Sequence, residues 1–204
     1  MEKRKFPIQE ILSFLGHFYK LKEVERTGWK QKLLLDNPES VAEHTLTMIV
    51  LTLLFSEFNN FTHTKTINMI KMVLIHDLGE SVIGDYMPES IEIEKKKKLE
   101  NFAINDILSK IPNTAIKKKY IKLWNEFDEN KSNISNLVHF IDKLEMAIQA
   151  KYYLDNNKNI NKEDVKPFFD SALRYITDNY KVKDNSHIQN IDKIQQILLH
   201  LLNK

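Results

Sequence analysis

The chain has 204 residues, of which 42% are hydrophobic, and this length and composition are sufficient for one domain with a substantial core. The 30 basic and 28 acidic residues nearly cancel, which gives no overall electrostatic reason to expect a nucleic-acid polymer or an anionic membrane as partner. Because the chain lacks cysteine, disulfides and thiolate ligands are excluded, and any metal ion must be held by His, Asp or Glu.

The N-terminus and the longest apolar run predict a soluble protein. Residues 1–6, MEKRKF, are charged and lack the apolar core and the small-residue cleavage site of a secretion signal. The apolar run from Met48 to Phe55 is too short to span a bilayer. We therefore expect no membrane partner and a cytoplasmic location.

Few glycines and the lack of period-2 alternation predict an all-α fold, a bundle of helices joined by short loops. A first helix is predicted at about residues 8–20, followed by a loop through residue 35. A second helix is predicted from Ser40, because Ser40 and Glu43 have the spacing of a capping box. That start places His44 in the first helical turn.

A third helix is predicted at about residues 65–77, with Gly79 as its terminator, so His76 and Asp77 lie at a helix end. Further helices are predicted at about 89–111, 113–128, 132–155, 165–180 and 187–202. We expect one domain over residues 1–204, with its core at 21–154 and C-terminal helices at 161–204 packed on that core.

Four side chains have the types expected of a hydrolytic metal centre: His44, His76, Asp77 and Asp142. Two neutral imidazoles and two carboxylates can hold one divalent cation and leave coordination positions for water and a phosphate oxygen. Such a set could accept Mn²⁺, Co²⁺, Fe²⁺, Zn²⁺ or Mg²⁺. No further carboxylate cluster predicts a second site, so we expect one ion.

Each candidate ligand also has a structural interpretation. His44 taken alone is more typical of a helix-capping or surface histidine. His76 and Asp77 follow an apolar stretch, and burying them without partners would be costly, so a metal ion would supply the partner. Asp142 lies beside an apolar stripe and could equally be a boundary residue paired with Lys143 or with solvent.

Four more residues suit the chemistry of a phosphate ester. Arg26 offers a planar fork of donors, and Trp29 offers a face to a base or ribose, although Trp29 could instead anchor its loop in the core. Glu80, about one turn beyond the His-Asp pair, could orient water or shuttle a proton, or could be an exposed loop residue. A turn at Gly84 could aim Asp85 at the site, although a capping or turn role also suits this aspartate.

The lysine run from Lys95 to Lys98 is interpreted as a solvated helix face rather than as a phosphate-binding patch. Lysine greatly outnumbers arginine throughout the chain, so a local run of lysines carries little information about function.

The order and flanking residues of these candidates resemble the 5′-deoxynucleotidases among the HD-domain metal-dependent phosphohydrolases. The resemblance spans residues 21–154, about two-thirds of the chain. The residues that carry it are Arg26-Thr27-Gly28-Trp29, Pro38-Glu39-Ser40-Val41-Ala42-Glu43-His44, His76-Asp77-Leu78-Gly79-Glu80, Gly84-Asp85 and Ile141-Asp142-Lys143.

This resemblance implies an HD-domain helical bundle that hydrolyses 2′-deoxynucleoside 5′-monophosphates to deoxynucleoside and phosphate. It implies that the four candidate ligands hold the metal, that Glu80 and Asp85 serve the reaction and the substrate, and that Arg26 and Trp29 contact phosphate and nucleotide. In bacterial members the Arg and Trp are adjacent. Here two residues separate them, which resembles the eukaryotic and archaeal branch.

Two other functions remain open. The chain could be an HD phosphohydrolase for another nucleotide, such as a cyclic dinucleotide or a ppGpp-like compound, or a non-catalytic helical module in which the metal is structural and the surface binds a protein. A small-molecule nucleotide is the partner expected of either enzyme. A homodimer is also expected, because apolar residues of the last helix could close the bundle or meet a second copy: Ile191, Ile194, Ile197, Leu198 and Leu201.

Overall fold

The computed structural model describes residues 7–87, 91–180 and 191–203, and within these ranges it contains ten helices and no strand. The all-α prediction is therefore confirmed. The helices are α1 (Ile8–Leu21), α2 (Thr27–Lys32), α3 (Val41–Phe58), α4 (His63–His76), α5 (Glu80–Ile83), α6 (Ile93–Ser109), α7 (Thr114–Glu129), α8 (Asn133–Asn156), α9 (Lys162–Tyr180) and α10 (Ile191–Asn203).

Eight of these helices correspond to the eight predicted ones, with ends that shift by a few residues. The predicted helical residues 89–90 and 187–190 lie outside the described residues. The two helices that were not predicted are α2, inside the predicted loop, and α5, directly after the His-Asp pair. They have six and four residues, too few to show a 3.6-residue apolar period.

The predicted capping box forms at the start of α3. The Ser40 amide donates to Glu43 Oε2 at 2.7 Å, and the Glu43 amide donates to Ser40 Oγ at 3.2 Å. Residues 24–26 also pair with residues 39–41 around an antiparallel bridge, with N–O distances of 3.0 and 2.8 Å. This pairing holds Arg26 beside the first turn of α3, where His44 lies.

The chain forms two compact units. The first comprises Met1–Thr45 and Lys71–Asp128, and the second comprises Leu46–Ile70 and Glu129–Lys204. In the first unit, α5 packs against α1 and α6. In the second, α8, α9 and α10 pack together, and Leu198 of α10 is buried. The expectation of a single domain over residues 1–204 stays a prediction.

The two glycines that flank α5 have different roles. Helix α4 ends at His76, and Gly79 has φ −58°, which other residues adopt equally well. Gly79 instead packs closely on α6: a Cβ there would lie 3.5 Å from Ile104 Cγ1 and 3.6 Å from the Glu100 carbonyl oxygen. Gly84 has φ 82°, in the region that favours glycine, so the predicted turn before Asp85 is present.

Among the described residues, α3 is the one helix long and apolar enough to cross a membrane, at 18 residues with a mean hydropathy of 1.4. Core helices of water-soluble proteins meet the same criterion, so this is weak evidence for a membrane span. Helix α3 also carries buried polar side chains at His44, Thr45, Thr52 and Ser56. The absence of a membrane partner stays a prediction.

Candidate metal centre

His44, His76 and Asp77 come together within the first unit. His44 lies in the first turn of α3, as predicted, His76 is the last residue of α4, and Asp77 follows it. Asp77 Oδ2 is 2.9 Å from His76 Nε2 and 3.9 Å from His44 Nε2, and the two imidazole centroids are 5.6 Å apart. Both histidines are buried, whereas the Asp77 side chain is 18% exposed.

The hydrogen bonding of His76 makes its other nitrogen an electron-pair donor. Its Nδ1 lies 2.7 Å from the Val73 carbonyl oxygen, which can only accept, so Nδ1 carries the proton of a neutral ring. The buried Nε2 has no hydrogen-bond partner, although Asp77 Oδ2 is 2.9 Å away. Two lone pairs that face each other at this distance repel unless a cation lies between them.

This arrangement fits a divalent metal ion. Neighbouring ligands that each lie about 2.1 Å from a cation, at right angles to each other, are about 3 Å apart. A ligating imidazole typically donates its other N–H to a backbone carbonyl or a carboxylate, as His76 does to Val73. His44, His76 and Asp77 are therefore candidates to hold one ion within the first unit.

The charge on Asp77 suits metal binding. Its Oδ2 accepts a hydrogen bond from Arg26 Nη1 at 3.2 Å, and the Arg26 side chain is largely buried. Burial alone raises the pKa of Asp77, but when no metal ion is bound, protonated His76, Arg26 and protonated His44 outweigh that effect and hold the pKa well below its usual range. Asp77 is thus ionised at any pH at which the protein would act.

Glu80 is a buried carboxyl group at the start of α5, where it is 4% exposed, so it is not the exposed loop residue of the alternative interpretation. Its Oε2 has no hydrogen-bond partner. Burial, and then the negative charges of Asp77 and Asp85, raise its pKa well above the usual value, with Arg26 and Lys96 acting in the opposite direction. Glu80 therefore retains its proton where an ordinary glutamic acid has lost it.

Asp85, two residues after the end of α5, is hydrogen-bonded to the first residue of α2. Its Oδ2 accepts from the Thr27 amide at 2.6 Å, and its carbonyl oxygen accepts from Thr27 Oγ1 at 2.8 Å. The carboxylate thus satisfies an amide in the first turn of α2, 58 positions earlier in the chain. Thr27 is one of the two residues that separate Arg26 from Trp29.

Trp29 has the surroundings of a loop anchor. It is 1% exposed, and its indole nitrogen donates to Glu39 Oε1 at 2.7 Å. A base cannot stack on a ring whose faces are covered, so this burial favours the structural interpretation. Contact between Trp29 and a nucleotide stays a prediction.

Asp142 lies on α8, in the second unit. Its Oδ2 accepts from Lys143 Nζ at 2.8 Å, as the alternative interpretation predicted, and its side chain is 13% exposed. The assignment of Asp142 as a metal ligand rests on the sequence resemblance.

Residues 18–182 match the model of the family described as HD domain. The chain belongs to the HD domain family. It is 35% identical over 171 residues to the 5′-deoxynucleotidase HDDC2 of Dictyostelium discoideum, which covers 81% of this chain and 89% of that protein. It is 32% identical to the 5′-deoxynucleotidase HDDC2 of Mus musculus, over 79% of this chain and 78% of that protein. The predicted family is thereby confirmed.

A solved structure shares the fold of this HD domain. It is a conserved hypothetical protein from Pyrococcus furiosus, with a TM-score of 0.70 and 25% identity, and the match covers 95% of this chain and 99% of that one.

One lysine near the centre differs from its neighbours in the predicted solvated run. Lys96 Nζ donates to the Tyr86 carbonyl oxygen at 3.1 Å and lies 3.4 Å from Glu100 Oε1, and its side chain is 25% exposed. Lys95, Lys97 and Lys98 are exposed. A run of four lysines contains no pattern that predicts which one is partly buried, so the contacts of Lys96 are not evident from the sequence.

A second buried histidine was also missed. His17 Nδ1 on α1 lies 2.9 Å from Ser81 Oγ on α5, and Lys110 Nζ lies 3.2 Å from His17 Nε2 and 3.1 Å from Asp106 Oδ2. A protonated lysine only donates, so His17 Nε2 accepts and Nδ1 carries the proton that Ser81 Oγ accepts. Because His17 donates to Ser81, it does not act as a base on that hydroxyl.

Proposed function

We propose that this HD domain hydrolyses 2′-deoxynucleoside 5′-monophosphates to deoxynucleoside and phosphate, with one divalent cation held by His44, His76, Asp77 and Asp142. The observation that carries the proposal is the convergence of Asp77 Oδ2 and the unpaired Nε2 of His76 at 2.9 Å. The similar proteins named 5′-deoxynucleotidase support the substrate class. Asp142 enters the ligand set from the sequence resemblance alone.

When bound, the cation would lower the pKa of a coordinated water and neutralise phosphate oxygens. The ion could be Mn²⁺, Co²⁺, Fe²⁺, Zn²⁺ or Mg²⁺, since the donor set suits each of them. Arg26 lies beside Asp77 and is proposed to contact the phosphate of the substrate, because a guanidinium matches the geometry of phosphate oxygens.

Glu80 supplies a proton in this proposal. The departing 5′ oxygen develops negative charge as its bond to phosphorus breaks, and protonation of that oxygen stabilises the product alcohol. The raised pKa of Glu80 keeps a proton on its carboxyl group for this transfer. Asp85, held by Thr27 at the end of the same segment, is the residue proposed to contact the sugar or the leaving oxygen.

The size of the required acceleration decides which effect dominates. Enzymes accelerate phosphate-monoester hydrolysis by up to about 10²¹-fold, whereas general acid catalysis contributes about 10²- to 10⁴-fold. Glu80 therefore supplies a minor share, and most of the acceleration must come from charge neutralisation and positioning at the cation and Arg26. Loss of a metal ligand should consequently cost more than loss of Glu80.

We also infer a cytoplasmic protein that acts on free nucleotides as a homodimer. A nucleotide substrate is dissolved in the cytosol, and no charged surface for a polymer is predicted from the balanced composition. Of the apolar residues of the last helix, Leu198 is buried while Ile197 is 55% exposed, so α10 both closes its own unit and leaves apolar area to a partner. Light scattering of the purified protein tests the dimer.

A phosphate-release assay tests the function. The metal-loaded protein is given the four deoxynucleoside 5′-monophosphates, the matching ribonucleotides, a cyclic dinucleotide and ppGpp, with each of the five cations. We expect phosphate release from deoxynucleoside monophosphates. The proposal fails if none of them is hydrolysed while another phosphoester is. If nothing is hydrolysed and His76→Ala unfolds the protein, the non-catalytic module with a structural metal is correct instead.

A further inference from the structure

We propose that a cavity at the start of α6 binds the nucleobase of the substrate, with Lys96 and Glu100 contacting the hydrogen-bonding edge of the base. This inference rests on the proposed function, because it assigns a subsite for that substrate. The cavity has a volume of about 270 Å³. Its lining residues are Ile91, Ile93, Lys96, Lys97, Glu100 and Asp128.

The cavity lies beside the segment that carries the candidate metal centre. Gly79, which lies between Asp77 and Glu80 in the chain, packs against the backbone of Glu100, so that a Cβ there would be 3.6 Å from the Glu100 carbonyl oxygen. On the other side, Lys96 Nζ donates to the carbonyl oxygen of Tyr86 at 3.1 Å. Through these two lining residues, Glu100 and Lys96, helix α6 packs on residues 79–86 within the first unit.

The charges of the two sites also influence each other. Lys96 lowers the pKa of Glu80, against the larger effects of burial and the nearby aspartates. Burial raises the pKa of Glu100, Lys96 lowers it, and the charge of Asp77 raises it by a smaller amount. Because electrostatic interactions weaken with distance and solvent screening, this mutual influence agrees with the close packing at Gly79.

The size of the cavity favours one base. Pockets for drug-sized ligands have volumes of about 300–1,000 Å³. A volume of about 270 Å³ lies just below that range, which suits one base with part of its sugar. A cyclic dinucleotide carries two bases and two sugars and would exceed this space.

The balance of charge favours a base over a phosphate group. Two ammonium groups, Lys96 and Lys97, face two carboxylates, Glu100 and Asp128, so the formal charges of the lining cancel. Lys97 pairs with Asp128 at 3.0 Å and Lys96 with Glu100 at 3.4 Å. A phosphate dianion would be repelled by the carboxylates, whereas an uncharged base offers both donors and acceptors to such a set.

The two isoleucines supply apolar faces. Ile93 is 79% exposed at the first position of α6 and so contributes little to the core. A base has flat apolar faces and a polar edge, and burial of apolar area against an isoleucine side chain is favourable. The cavity thus combines an apolar wall with a polar edge, as ligand sites generally do.

The test compares substrates with and without a base. We measure kcat/KM for the four deoxynucleoside 5′-monophosphates and for deoxyribose 5-phosphate, using the wild type and the variants Lys96→Met, Glu100→Gln and Ile93→Ser. We expect the ratio of each nucleotide's kcat/KM to that of deoxyribose 5-phosphate to fall, by about tenfold where one hydrogen bond to the base is lost. The kcat/KM ratios of the four nucleotides should fall by different factors, because the polar edges of their bases differ.

The control is Lys95→Met, which removes an exposed lysine beside Lys96 and should leave every ratio as in the wild type. Thermal melts show whether each variant is folded, and Ile93→Ser, at an exposed position, provides a variant that adds no charge beside the ion pairs. If each of the three variants lowers kcat/KM by the same factor for the nucleotides and for deoxyribose 5-phosphate, or does not lower it at all, the cavity is not the base subsite. A wild type that releases no phosphate from any of the five compounds instead refutes the proposed function.

Discussion

Two buried histidine clusters of the first unit show what distinguishes a candidate metal centre from a structural contact. In one, His76 Nε2 faces Asp77 Oδ2 at 2.9 Å and no proton lies between them in the neutral ring. In the other, His17 Nε2 faces Lys110 Nζ at 3.2 Å, so a built-in cation supplies the donor. Both clusters contain a buried histidine. They differ in whether the group that faces Nε2 can donate a proton to it.

The comparison gives a general criterion. A buried imidazole whose second nitrogen meets a donor from its own chain is satisfied and stabilises the fold. A buried imidazole whose second nitrogen meets another acceptor needs either a second proton or a metal ion between the two atoms. Removal of a side chain should therefore abolish ligand binding in the first cluster and lower stability in the second.

The largest effect is expected from Asp77→Ala. The variant removes the carboxylate that faces both imidazoles, so metal uptake and turnover should both be lost. Metal content after dialysis and phosphate release measure the two quantities. The matched control is Asp106→Ala, which removes the carboxylate that pairs with Lys110 near the other histidine. Equal metal content in Asp77→Ala and the wild type would remove Asp77 from the ligand set.

A smaller effect is expected from Glu80→Gln. Loss of the proton donor should reduce kcat by about 10²- to 10⁴-fold while metal content is retained. Because burial and nearby carboxylates raise the pKa of Glu80, wild-type turnover should fall as the pH rises through that value, where the proton is lost. Glu94→Gln, at an exposed position of α6, is the control and should keep the wild-type profile. A variant that loses its metal as well would make Glu80 a ligand.

The smallest effect is expected from Lys110→Met, which removes the donor to His17 and should lower the free energy of unfolding by about 1–3 kcal/mol. Urea denaturation measures this change, and metal content should stay as in the wild type. An unchanged midpoint would show that solvent satisfies His17 equally well.

The same cluster predicts how stability depends on pH. Burial, Lys110 and Lys20 lower the pKa of His17 below the usual histidine value of 6.5, and Asp106 opposes them weakly. Below pH 6.5 the unfolded chain therefore binds a proton before the folded chain does, and stability falls with acidification. Urea midpoints at pH 7.5 and pH 5.5 show this loss, and His17→Gln should reduce it.

The sequence predicted those parts of the site that depend on local spacing. Ser40 and Glu43 are three residues apart, so their capping box, and with it the position of His44, follows from short-range hydrogen bonding. The long helices followed from apolar periodicity, and the turn at Gly84 from the freedom of glycine.

The features that escaped prediction depend on distant parts of the chain. His17 contacts Ser81 and Lys110, which are 64 and 93 positions away, and no local pattern encodes such a pairing. The sequence left two interpretations of Trp29 open, a nucleotide contact and a loop anchor, because an aromatic side chain suits a ligand site and a core equally well. The structure buries Trp29. Lys96 donates to the backbone carbonyl oxygen of Tyr86, and the lysine run itself carries no pattern that predicts this contact.

Two sets of contacts affect the entropy of ligand binding. They are the pairing of residues 24–26 with 39–41 and the contact of Thr27 with Asp85. These hydrogen bonds form between protein groups and require no ion or nucleotide. The backbone of Arg26, His44 and Asp85 is thus already ordered before a ligand binds. The entropy cost of that ordering is incurred during folding rather than during binding. A preorganised site of this kind should bind its ion by exchanging water for protein ligands, with little rearrangement of the surrounding helices.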